Sequence, residues 1–172
     1  TRRRRLLING VSGTWKTGQI VRTAPRPLAV FSFPGELGFD TVPDGDPEVM
    51  KLAWSEPEGK RVSSLQLSQH VEKAALELIA SGQYKAMFFE GLHHMAQLDL
   101  DIVTDGAFFR GEDFEPVRYA GAYRRTLQFI DRLCNTNIPV IGFTCWAEQK
   151  PIRAKKQGEK QEDIPRKWYS SL

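Results

Sequence analysis

The sequence predicts a three-layer α/β domain on a mainly parallel sheet, and three observations carry that prediction. Short apolar runs recur along the chain, at residues 6–8, 28–33, 84–90 and 138–144. Between them lie segments whose apolar residues fall at three- and four-residue intervals, the spacing of a helix packed by one face. Most of the runs are apolar nearly throughout instead of alternating, as strands covered on both sides are. Strands and helices taking turns at these lengths build layered sheets with parallel crossovers.

The elements follow in order. Leu6, Leu7 and Ile8 form a first short strand, which Asn9 and Gly10 break. Residues 16–23 make a short helix that Pro25 and Pro27 forbid from continuing. The run LAVFSF at 28–33 reads as a central strand, closed by a turn in which Pro34, Gly35 and Gly38 bracket Glu36. Residues 40–48 are turn chemistry, and 49–54 give a third short strand. Ser63 or Ser64 caps a helix to Ala80, with Leu67, Val71, Ala74, Ala75, Leu78 and Ile79 on one face and His70 at its surface. The strand YKAMFFE at 84–90 delivers Glu90 to its C-terminal end, and His93 and His94 follow it on what reads as an extended segment.

Residues 98–115 carry Gly106, Gly111, several acids and three phenylalanines, and read as a folded loop or short helix, with an active-site lid or a partner contact as the sharper alternative. Pro116 opens a helix to about Leu133. The strand IPVIGFT at 138–144 contains Gly142, which allows close approach at a crowded position. The polar stretch 148–163 reads as a mobile loop or a hairpin beside the site, and the expectation is that the natural protein continues past Leu172.

At 172 residues the chain is one domain by size, able to bury roughly two thirds of the surface exposed on unfolding. Two cysteines, Cys134 and Cys145, make no disulfide framework and have no metal-ligand companions at short spacing. With no signal-peptide pattern and no apolar run near 18 residues, it reads as soluble and intracellular, with no membrane partner. The net charge of +3 is concentrated at Arg2–Arg5 and in the basic residues of 150–167. Such ends can meet nucleic-acid phosphates or simply keep a surface solvated.

The chemistry centres on 10–17, GVSGTWKT. A phosphate-binding loop asks for Gly, four residues, Gly, Lys, then Ser or Thr, between a strand and a helix. Gly10, Lys16 and Thr17 stand at the required places, and Trp15 replaces the second glycine. In such a loop the backbone N–H groups of Gly10, Val11, Ser12, Gly13, Thr14 and Trp15 converge on an anion, helped by the positive end of the helix. Lys16 then reaches the outer phosphates and Thr17 ligates magnesium. The indole of Trp15 must swing outward or deform the cradle.

A parallel sheet would bring Glu90 and Thr144 to the same edge, since ligands bind at the carboxyl ends of strands. Magnesium on phosphates wants hard oxygen ligands, which Thr17 and Glu90 supply. Glu36 is the candidate to orient or deprotonate water, Thr144 and Gln149 to sense the terminal phosphate, and Arg110 or Arg153 to lend a charge across a subunit interface. His93 and His94 lack a zinc-binding spacing.

The segments GVSGTWKT, LAVFSF with PGELG, AMFFEG, and YRRTLQFIDRL with NIPVIGFTCWAEQK together resemble the phage and prophage RecA-like P-loop ATPases linked to single-strand annealing and recombination. The resemblance covers most of the chain. It implies a single RecA-like P-loop NTPase domain over 1–172 that binds ATP and Mg2+, with Lys16, Thr17 and Thr144 at the nucleotide and Glu36, Glu90 and Gln149 catalytic. It further implies a homo-oligomer on single-stranded DNA in the host cell cytoplasm. Trp15 and Glu90 depart from the family's glycine and aspartate. The rival readings are a descendant without turnover, serving as a structural or DNA-binding module, and a small-molecule phosphotransferase.

Overall fold

The computed structural model describes residues 2–11, 14–32, 40, 42, 44–53, 63–110, 115–151 and 166–171, and the side chains of these except 53, 105–110, 115–118, 147–151 and 166–171. Along the chain run β1 (Arg4–Gly10), α1 (Lys16–Thr23), β2 (Leu28–Ser32), β3 (Val49–Ala53), α2 (Ser64–Ala80), β4 (Ala86–Glu90), α3 (Leu92–Arg110), α4 (Glu115–Cys134), β5 (Val140–Pro151) and β6 (Arg166–Ser171). The first five strands form a parallel sheet in the order β1-β5-β4-β2-β3, and β6 pairs antiparallel with the outer half of β5. The expected mainly parallel α/β architecture is what the chain adopts.

Side chains alternate across the sheet, and the alternation sorts the core into two layers. Ala29, Phe31, Met87, Phe89, Ile141, Phe143 and Cys145 face α2, α3 and α4. Leu28, Val30, Ala86, Phe88 and Val140 face α1. Every residue of β2 and β4 is buried, and both strands are apolar up to their last residues, Ser32 and Glu90. Phe89 sits at the centre, stacked on Phe31 at 4.8 Å and Phe143 at 5.4 Å and meeting the edge of Phe129 at 5.4 Å.

Local chemistry sets the helix ends. Ser63 accepts a hydrogen bond from the Gln66 amide N–H, and the Gln66 side chain accepts one from the Ser63 N–H, a reciprocal cap on α2. The helices α3 and α4 are joined by Asp99, which is 1% exposed and accepts hydrogen bonds from Thr126 Oγ1 at 2.7 Å and Arg125 Nε at 3.2 Å. Burial pushes the Asp99 carboxyl above the usual range, against the opposing pull of Thr126 and Arg125.

Three sequence expectations are corrected here. Of the loop and short-helix readings of 98–115, residues 98–110 are helical, but the helix is long, beginning at Leu92 and running unbroken to Arg110. His93 and His94 therefore sit on a helix, not on an extended segment. The last parallel strand does not end at Thr144: β5 continues to Pro151 and makes a hairpin with β6, of the two readings the second. The residues of 33–39, with Glu36, and of 152–165, with Arg153, lie outside the described residues.

Gly142 has a specific steric reason. A Cβ there would lie 2.1 Å from the Phe88 ring, which takes the space a side chain would need. Gly142→Ala should lower the stability by about 1–3 kcal/mol, read by urea denaturation. Shrinking the ring in the F88L/G142A double variant should restore part of that loss, and a strictly additive result would refute the contact.

Candidate functional site

The loop after β1 is held by its own side chains. Lys16 Nζ donates to the carbonyl oxygens of Gly10 and Val11, each at 3.0 Å, and Thr14 Oγ1 donates to Val11 O at 2.8 Å. A Cβ on Gly10 would stand 2.9 Å from Thr14 Oγ1, inside this turn. Trp15 is the N-terminal cap of α1 in the left-handed conformation, φ 57° and ψ 25°, and its side chain makes no capping hydrogen bond. This is the backbone shape that glycine adopts without a penalty, so the preference for glycine at this position has a conformational basis. The indole is 68% exposed, its ring over Gly18, so it points away from the turn.

Strand register brings the other candidates level with one another. Ile8 pairs with Thr144, Phe143 with Phe89, and Ser32 with Glu90, so Ile8, Thr144, Glu90 and Ser32 form one row across the C-terminal edge of the sheet. By alternation, Thr144, Glu90 and Ser32 project to the α1 side, as Val30, Phe88 and Val140 do. Thr17, 5% exposed, is on the buried face of α1, and Glu90 and Thr144 are 3% and 2% exposed. Two strand spacings, about 10 Å, separate β1 from β4. The Thr144 hydroxyl oxygen accepts the Gly91 N–H at 3.0 Å, fixing the turn by which the chain leaves Glu90 for α3.

An aromatic group closes the rim. His93 lies 4.1 Å from both the His94 and Trp146 rings, and Trp146 pairs in register with Gly10. The His93 imidazole is held down to about 4, first by burial, then by the charges of His94 and Lys16. Beneath it, Cys145 Sγ and Asn9 Oδ1 are 2.7 Å apart, and burial pushes the thiol up while Lys16 opposes. His93, His94 and Trp146 were legible as a group only once the helical path of α3 was known. Ser32 closes an apolar strand and belongs to no motif, so no sequence signal marks it.

Of the residues singled out from sequence, Gly10, Val11, Thr14, Trp15, Lys16, Thr17, Glu90 and Thr144 come to this one edge. Ser12, Gly13 and Glu36 lie outside the described residues. Gln149 does not join the row: it pairs with Trp168 in the β5–β6 hairpin, five residues beyond Thr144, about 17 Å along an extended strand. Arg110 is the last residue of α3. Among the described residues no three His, Cys, Asp or Glu side chains form a group fit for a metal ion, and no helix is long and apolar enough to cross a membrane.

The fold and this edge define an α/β domain with a loop, a helix start and a buried acid at the C-terminal edge of its sheet. No protein-family model matches the chain, and no curated protein matches it.

The depressed His93 gives a pH dependence with a definite sign. An unfolded histidine takes up a proton near 6.5, whereas the folded site accepts one only near 4. Stability is therefore lost as pH falls from about 6.5 toward 4. His93→Gln should flatten that fall by about 1–2 kcal/mol, a linkage value already reduced for solvent screening at a half-buried site. Urea denaturation at a series of pH values checks it, and an unchanged slope in the variant would contradict the assignment.

Proposed function

We propose that this chain binds a nucleoside triphosphate, ATP by resemblance, with Mg2+ at the C-terminal edge of its sheet, as a RecA-like P-loop ATPase domain. The observation that carries the reading is the shared side of Thr17 and Glu90. Both are buried, both face the space between α1 and the sheet, and Lys16 begins the same helix. A hydroxyl, a carboxylate and an amine gathered at a helix start after a parallel strand suit a magnesium-bound polyphosphate.

The residues present fit the metal. A magnesium ion that arrives with phosphates keeps several waters and needs only one or two protein oxygens, so Thr17 Oγ1 and Glu90, directly or through water, suffice. Bound there, the ion would neutralise charge developing on the phosphates during transfer. Lys16 would exchange the carbonyls of Gly10 and Val11 for phosphate oxygens. Thr144, tied to Gly91, would hold the end of β4 at a fixed distance from the loop. Glu36 keeps its proposed role with the attacking water on chain position alone.

Single-stranded DNA as a partner, and a role in recombination, rest on the resemblance and on the exposed arginines of 2–4. Anisotropy of a labelled oligothymidylate should report binding that strengthens with ATP and weakens steeply with salt. Affinity indifferent to nucleotide would favour the structural or DNA-binding module instead.

For the nucleotide itself, titration calorimetry with ATP and Mg2+ is decisive. Lys16→Ala should cost roughly 10–100-fold in affinity, the value of hydrogen bonds from a charged donor. Glu90→Gln should keep ATP binding and lose most of its dependence on magnesium. Trp15→Gly, which relieves the left-handed strain, should bind at least as well as the parent. A parent that binds no ATP, or a K16A variant that binds it equally well, would end the proposal.

A further inference from the structure

On the opposite side of the sheet, α4 presents an apolar stripe to solvent. Tyr119, Tyr123 and Leu127 recur every four residues and are 55%, 59% and 45% exposed. The buried side of the helix is occupied by Ala122, Thr126, Phe129 and Leu133. Arg125 and Arg132 reach toward α3 and α2, to Asp99 and Glu72. The stripe therefore lies on the flank turned away from both neighbouring helices. That flank borders β1, because Arg5 donates to the carbonyls of Cys134, Thr136 and Ile138 where α4 ends. Leu7, on the same face of β1 as Arg5, is 54% exposed. Such a row of large apolar groups on one flank is what an interface presents, whereas scattered exposed apolar residues need no explanation.

The charges beside the stripe say what fits it. Arg124 and Asp131 line the same shallow groove as Tyr123 and Leu127, one toward each end, seven residues apart. A helix laid antiparallel in the groove about a two-fold axis near Leu127 would set Arg124 of each copy against Asp131 of the other. A two-fold contact uses one patch twice, so a patch carrying its own complementary charges at opposite ends fits itself. Parallel packing would instead oppose like charges.

We propose that the α4 groove is a self-complementary dimer interface, its occupant the α4 of a second copy of this chain, with Leu127 at the two-fold axis and two reciprocal Arg124–Asp131 pairs. The contact lies on the sheet face away from the loop of Lys16, so it does not depend on nucleotide binding.

Sedimentation velocity on the full chain at micromolar concentration, with circular dichroism to confirm folding, tests it. The parent should sediment as a dimer. Leu127→Glu and Arg124→Asp should each give folded monomers, the latter weakening association about a hundredfold, since two pairs are reversed at about tenfold each. The R124D/D131R double variant should recover the dimer. A folded monomeric parent would overturn the proposal and leave the groove to a different partner. A dimer unaffected by R124D, or a double variant that stays monomeric while folded, would overturn it as well.

Discussion

The pairing of β5 with both β1 and β4 is the constraint on which the candidate site depends. Neither of those strands touches the other. Each inherits its height from β5, so Ile8, two residues before Gly10, and Glu90 are set in one row by backbone hydrogen bonds. Gly142 makes this possible, since the Phe88 ring occupies the space where a side chain of β5 would stand. Core packing one layer below the edge thus fixes the geometry of the polar groups at the edge.

Much of this was legible in the sequence because burial imposes periods. Strands 28–32, 49–53 and 86–90, the helix from Ser64 with its serine cap, and the helix opened near Pro116 all follow from apolar spacing and cap chemistry. The path of α3 did not. That helix packs against α2, α4 and the sheet together, so its apolar residues are not confined to one face, and Asp99 is a buried charge where the pattern expects an apolar residue. The hairpin of β5 and β6 was legible only as one of two alternatives, since its second strand lies at 166–171, about twenty residues from its partner. Strand order cannot be read from apolar runs, and it is strand order that brings Thr144 to Glu90 and carries Gln149 off the edge.

Trp15 replaces the motif's glycine, yet its backbone takes the left-handed conformation that glycine favours. The loop requires a left-handed residue at that point, and tryptophan supplies it against its own preference. The cost falls on the backbone, while the indole leans outward over Gly18.

The hydrogen bonds of Lys16 to two carbonyls of its own loop have a further consequence. An ammonium already satisfied in this way gains from an incoming anion only the difference between two exchanges, loop for ligand. A single weakly charged oxyanion offers little over a pair of peptide dipoles, whereas a chain of phosphates carrying its own cation offers much. If the loop takes the proposed polyphosphate, its resting hydrogen bonds would act as an internal rival that sorts anions by charge density.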